Sequence, residues 1–226
     1  MELIPLDWVA IGFWIGVVVV TFGISFIFFK KHLKFTEKTK NQLAFCLVFL
    51  ALAIGRAILV YSDYFLTGLN LEAYETFQMI WKVATLFEMM GLGFLIIVSE
   101  YAVFKGKDYY VFIIGYTIVV IISIFIIQDF FLAQTVSVAA IGFAAFLPIS
   151  YIYLAIKLPM ARRNVIMLLI GFIIFGFGLL LISAGIVSLL GQENIHLLYL
   201  ISAIVQIPGL LIMAISINRM YFTEKV

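Results

Sequence analysis

Three ionisable residues stand where hydrocarbon is expected: Arg56, Lys82 and Glu88 each lie inside a long apolar run. Charged groups are costly in a bilayer interior, so residues of this kind are candidates for binding or ion handling by default. Asp63, at the end of the run that holds Arg56, and Gln206, two residues before Pro208, complete the set. A carboxylate here can titrate or hold a cation, and a guanidinium can hold an anionic group. An amide beside the carbonyls that a proline frees can serve a binding site in a broken helix.

Spacing sorts these residues into pairs. At the 1.5 Å rise of a helix, Arg56 and Glu88 both fall about 21 to 23 Å from the inner boundary, whereas Asp63 and Lys82 fall about 30 to 33 Å from it. An antiparallel helical hairpin therefore brings Arg56 to Glu88 and Asp63 to Lys82. Arg56 and Asp63 lie on nearly one face of their helix. Lys82 and Glu88 are about 120° apart around theirs, so the second pair relies on the flexible lysine stem. Gly55, Ala53 and Ala57 surround Arg56, while Ala84, Thr85 and Gly91 stand three or four residues from Glu88. Small residues at those positions let helices approach closely in a membrane. Two roles are open for the charges: a static ion-pair lattice that sets helix register, or the lining of a polar cavity.

The elements that must position these residues follow from composition. Of 226 residues, 65% are hydrophobic and only 12% charged, and the mean hydropathy is +1.23. That is far below the charge content of soluble domains, about 25%. The expectation is an all-α integral membrane protein, a single seven-transmembrane-helix bundle over residues 1–226. Apolar runs predict helices at about 8–29, 41–65, 76–102, 109–127, 133–156, 164–190 and 195–217.

Of the fourteen Lys and Arg residues, all but Arg56 and Lys82 fall in alternate connections: Lys30, Lys31, Lys34, Lys38 and Lys40; Lys105 and Lys107; Lys157, Arg162 and Arg163; Arg219 and Lys225. The other side carries Glu2, Asp7, Asp63, Glu72, Glu75, Asp129 and Glu193. The positive-inside rule then puts the N-terminus outside and the C-terminus in the cytoplasm of a multi-pass cell-membrane protein. Trp8, Tyr64 and Tyr74 near one boundary, and Tyr101, Tyr109, Tyr110 and Tyr221 near the other, read as interfacial belts.

Composition and motifs also exclude. A net charge of +2 gives no footprint for nucleic acid. Cys46 is the single cysteine and reads as a small buried apolar residue. His32 and His196 are the only histidines, too few for a membrane metal cluster or a haem pair, and His196 reads as a solvated loop residue. No nucleophile elbow, zinc-protease helix or phosphate loop occurs, so the chain is expected to be no enzyme. Gly171, Gly176, Gly178 and Gly185 in the sixth helix read as packing positions, and Pro148 with Ser150 and Tyr151 repeats the proline-and-polar pattern of Gln206.

Helix count, topology and length are similar to those of the microbial rhodopsins, and Ser202-Ala203-Ile204-Val205 resembles the stretch around their retinal-binding lysine. Ile204 stands in the lysine's place and the seventh helix has no lysine, so no retinal cofactor is expected. The small sugar transporters also resemble this layout, but they imply matching features in the first and last three helices, and the charged cluster has no counterpart there. The reading that results is a receptor-like or sensor-like protein. It would bind a small ligand, lipid or ion in an outward-facing cavity lined by Arg56, Asp63, Lys82, Glu88 and Gln206, and relay to a separate cytoplasmic partner. The alternatives are a proton- or cation-coupled transporter or channel using Glu88, and a structural subunit of a membrane complex.

Overall fold

The structure is a computed structural model that describes residues 3–34, 40–70, 73–104 and 110–222. Among the sequence assignments above, those on Glu2, Lys38, Glu72, Lys105, Lys107, Tyr109 and Lys225 lie outside the described residues. Among the described residues there is no strand. Helix α1 spans Pro5–Lys34, and α2 spans Lys40–Tyr61 and ends in a π turn, Ser62–Leu66. Short α3 (Ala73–Thr76) leads into α4 (Gln78–Phe104). Helix α5 (Val111–Ile121) ends in a second π turn, Ile122–Ile126. Helices α6 (Phe130–Ala144), α7 (Phe146–Lys157), α8 (Arg162–Leu181), α9 (Ala184–Leu190) and α10 (Ile195–Tyr221) follow.

Six of these segments are long and apolar enough to cross a membrane: Pro5–Lys34, Asn41–Leu66, Gln78–Phe104, Phe130–Lys157, Arg162–Leu181 and Gln192–Tyr221. The chain is a multi-pass membrane protein. The segment expected at 109–127 is a shorter apolar helix, Val111–Ile126. The sixth expected helix, 164–190, is not continuous. Ser183 takes an extended ψ of 144°, and its backbone N–H and its hydroxyl both bond the carbonyl of Leu180. Serine competes with the helix ladder in this way, which ends α8 and starts α9 anew. The fifth is interrupted at Ala145, because Pro148 has no N–H to offer the carbonyl of Ala144 and sits instead in the first turn of α7.

Close packing follows two glycine seams. A Cβ on Gly55 would stand 2.7 Å from the carbonyl oxygen of Ala84, and one on Gly91 would meet Leu52, so α2 and α4 touch nearly backbone to backbone. A Cβ on Gly209 would stand 2.7 Å from the nitrogen of Phe175, and Gly171 and Gly178 face α10 in the same way. Gly176 and Gly185 have nothing within 4 Å and serve no such contact. Small residues are what allow this approach where water provides no force between helices.

Helix α1 lies between the two seams, packed on α2 and α10, and α7 joins α4 to α8. Polar contacts tie α1 to α10 at both ends: His196 Nδ1 meets Asp7 Oδ1 at 2.6 Å, and Lys31 Nζ donates to Asn218 Oδ1 at 2.6 Å. The first and last helices therefore run in the same direction. Outward faces are apolar, with Val19, Phe26, Phe125 and Ile156 exposed, as suits a hydrocarbon solvent.

Candidate functional site

Arg56 and Glu88 meet where α2 and α4 come closest. Arg56 Nη2 lies 2.7 Å from Glu88 Oε1, one residue from Gly55, whose missing side chain leaves room for the Glu88 stem. The contact is ionic rather than a directed hydrogen bond, since Oε1 accepts none. The guanidinium also lies over the Trp14 ring, 4.7 Å from its centroid. A buried cation held between a carboxylate and an indole face joins three helices. Trp14 carries no charge in an apolar run, so nothing in its own sequence neighbourhood marks it.

Asp63 and Lys82 do not pair. Asp63 sits in the π turn of α2 and accepts a 2.6 Å hydrogen bond from the Tyr74 hydroxyl. Lys82 Nζ donates at 2.6 Å to the carbonyl of Ile127, and Gln78, one turn earlier on the same face, donates to the carbonyl of Gln128. Both side chains bind the carbonyl end of the α5 segment, where the helix dipole favours a cation. The antiparallel register overlooks this because the competing partner is backbone on a third segment. The π turn, with one extra residue per hydrogen-bonded ring, also turns Asp63 away from regular α-helical spacing.

The loop after that turn holds Asp63 in place. Leu69 N–H and the Thr67 hydroxyl both bond the Asp63 carbonyl, and the chain reverses through Gly68 and Leu69 at φ of 57° and 61°. The positive φ is ordinary for glycine, but for buried Leu69 it is strained by about 1–2 kcal/mol.

Asp63 lines a cavity of about 80 Å³ at the acidic end of the bundle. Its polar wall is Asp63, Tyr74, Gln134 and Tyr199, and its aromatic wall includes Trp81 and Phe130. The remaining side comes from Ile182 and Val187, which flank the break between α8 and α9, and from Leu59 and Ile195. Phe130 stacks on Tyr74 and takes Trp81 edge-on. Burial pushes the Tyr74 hydroxyl well above its usual range, so it stays protonated and remains the donor to Asp63. Among the described residues no Lys, Arg or His lies within ion-pair distance of Asp63.

Of the five residues expected to line one cavity, Asp63 alone does so. Arg56 and Glu88 are joined to each other, Lys82 is held by α5, and Gln206 is fully buried in the α8–α10 seam. There Gln206 Nε2 donates to the Ser202 hydroxyl, which donates across to the Gly178 carbonyl. The belt assignment also changes. Trp8 is exposed, but Tyr64 and Tyr74 are buried. Tyr199 links the two sites, since its ring meets Trp14 and Tyr64 edge-on while also lining the cavity.

His196 is half-buried against Asp7 rather than solvated. Glu100, buried at the far end of α4, accepts from the N–H groups of Phe112 and Ile113 and so caps α5 from another helix. Among the described residues no group of His, Cys, Asp and Glu is placed to hold a metal. Compared with protein-family models, with curated proteins and with solved structures, the chain matches none.

Proposed function

We propose that this chain is a receptor-like or sensor-like seven-helix protein of the cell membrane that binds a small ligand in the cavity at its acidic end. The observation that carries the reading is that cavity, with a buried carboxylate and aromatic rings converging on it inside an apolar bundle. Concave, mostly apolar spaces with a few convergent polar groups are the usual form of ligand sites.

The parallel run of α1 and α10 supports an odd number of crossings, with Val111–Ile126 as the seventh. The loop charges then support an outside N-terminus. A packing route inward is also at hand: Tyr199 touches the cavity and Trp14, and Trp14 lies under Arg56 in the α2–α4 seam. A ligand that shifts Tyr199 would bias that seam, and a separate partner at the basic end would read the change.

Transport through Glu88 stands second, because Glu88 is engaged by Arg56 and does not line the cavity. Charge movement in proteoliposomes, after jumps in pH, Na⁺ and K⁺, separates the two. The receptor reading expects no sustained current from folded protein. A sustained current that Glu88→Gln abolishes would replace it with transport.

A further inference from the structure

We infer that the ligand is a small organic monocation, an amine or quaternary ammonium group held by Asp63 within the aromatic wall. The inference rests on the reading of the cavity as a ligand site and deepens it. Asp63 is 5% exposed and lines the cavity, and its hydrogen bond from Tyr74 is to a neutral hydroxyl. Arg56, two turns earlier on the same helix, is committed to Glu88 and Trp14, and Lys82 on α4 to the Ile127 carbonyl. A buried carboxylate that lines a cavity, with no cation among the described residues at ion-pair distance, favours a cationic occupant.

The walls decide which cation. Trp81, Phe130, Tyr74 and Tyr199 offer ring surface, which attracts ammonium groups through the ring quadrupole. A bare metal ion would instead need a shell of oxygens, and most of the remaining lining is aliphatic. A cavity of about 80 Å³ limits the buried part to a few non-hydrogen atoms. The field at this end is favourable as well: Asp7, Glu75, Asp129 and Glu193 lie there, and the connecting loops carry no Lys or Arg. Such a surface concentrates cations at its mouth.

The test uses the full chain in lipid nanodiscs at fixed ionic strength, with thermal unfolding and tryptophan emission as readouts. Probes are methylammonium, ethylammonium and tetramethylammonium chlorides, with tert-butanol as a neutral isostere, acetate as an anion, and KCl. The expected result is saturable stabilisation by at least one ammonium probe and not by tert-butanol, acetate or KCl. Asp63→Asn should weaken it by about tenfold or more, and Phe130→Leu, which keeps an apolar wall, by about threefold or more. Equal stabilisation by tert-butanol, or stabilisation by KCl alone, overturns the cationic amine and leaves the cavity as a ligand site. An ammonium effect unchanged in a folded Phe130→Leu protein overturns this location. No saturable effect from any probe counts against both readings.

Discussion

The α2–α4 and α8–α10 seams solve one packing problem with different chemistry. In each, glycines bring two backbones to near contact: Gly55 and Gly91 in the first, Gly171, Gly178 and Gly209 in the second. The first then places a guanidinium and a carboxylate across the contact, whereas the second uses a neutral relay from Gln206 through Ser202 to the Gly178 carbonyl. A neutral seam is sufficient to hold two helices together in lipid. The charge in α2–α4 also reaches a third helix, because the guanidinium lies over the Trp14 ring of α1.

That contrast can be broken most forcefully at the ion pair. Glu88→Leu leaves the Arg56 charge buried without a counter-ion and is expected to destabilise by about 3–5 kcal/mol, seen as loss of folded protein in detergent. Exchanging the charges, Arg56→Glu with Glu88→Arg, should recover more folded protein than either single change. Recovery should stay partial, because the exchanged guanidinium no longer starts from the helix that faces Trp14. Equal loss in all three proteins would mean that pairing is not what holds the seam.

Next come the glycines, where the seams should behave alike if the obstacle is backbone. Gly55→Ala and Gly209→Ala each set a methyl against unyielding main chain and should cost about 1–3 kcal/mol. Gly178→Ala meets the movable stem of Gln206 at its nearest point and should cost less. Unfolding midpoints of the three variants rank them directly. Gln206→Leu is smaller still, about 0.6 kcal/mol, since its Oε1 accepts no hydrogen bond to begin with. The smallest effect is a coupling: a double-mutant cycle on Asp63→Asn and Lys82→Leu should show less than about 0.5 kcal/mol of interaction. A larger value would restore the direct pair.

These contrasts mark what the sequence makes legible. Hydropathy reveals the long spans because a bilayer demands unbroken apolar runs. Register places Arg56 opposite Glu88 because both lie in regular helix, in consecutive spans joined antiparallel. The same arithmetic misleads for Asp63 and Lys82, where a π turn changes the angle and a backbone carbonyl takes the lysine. Asp7 with His196, and Trp14 under Arg56, are hidden from any local rule, since their partners lie on distant helices. Tyr74 reads as interfacial in the sequence, because its position near a boundary says nothing about which way its ring turns, and the ring is buried.

The parallel contact of the first and last helices has a consequence for how the protein is made. Asp7 and Lys31 find their polar partners on α10, 189 and 187 residues later, so early in synthesis α1 sits in the bilayer with neither partner present. These contacts close only when α10 arrives and docks on α1. Contacts of such long sequence separation form late. A chain arrested before Ile195 would retain the ion-paired α2–α4 hairpin while leaving both the ring and the Tyr199 side of the cavity open.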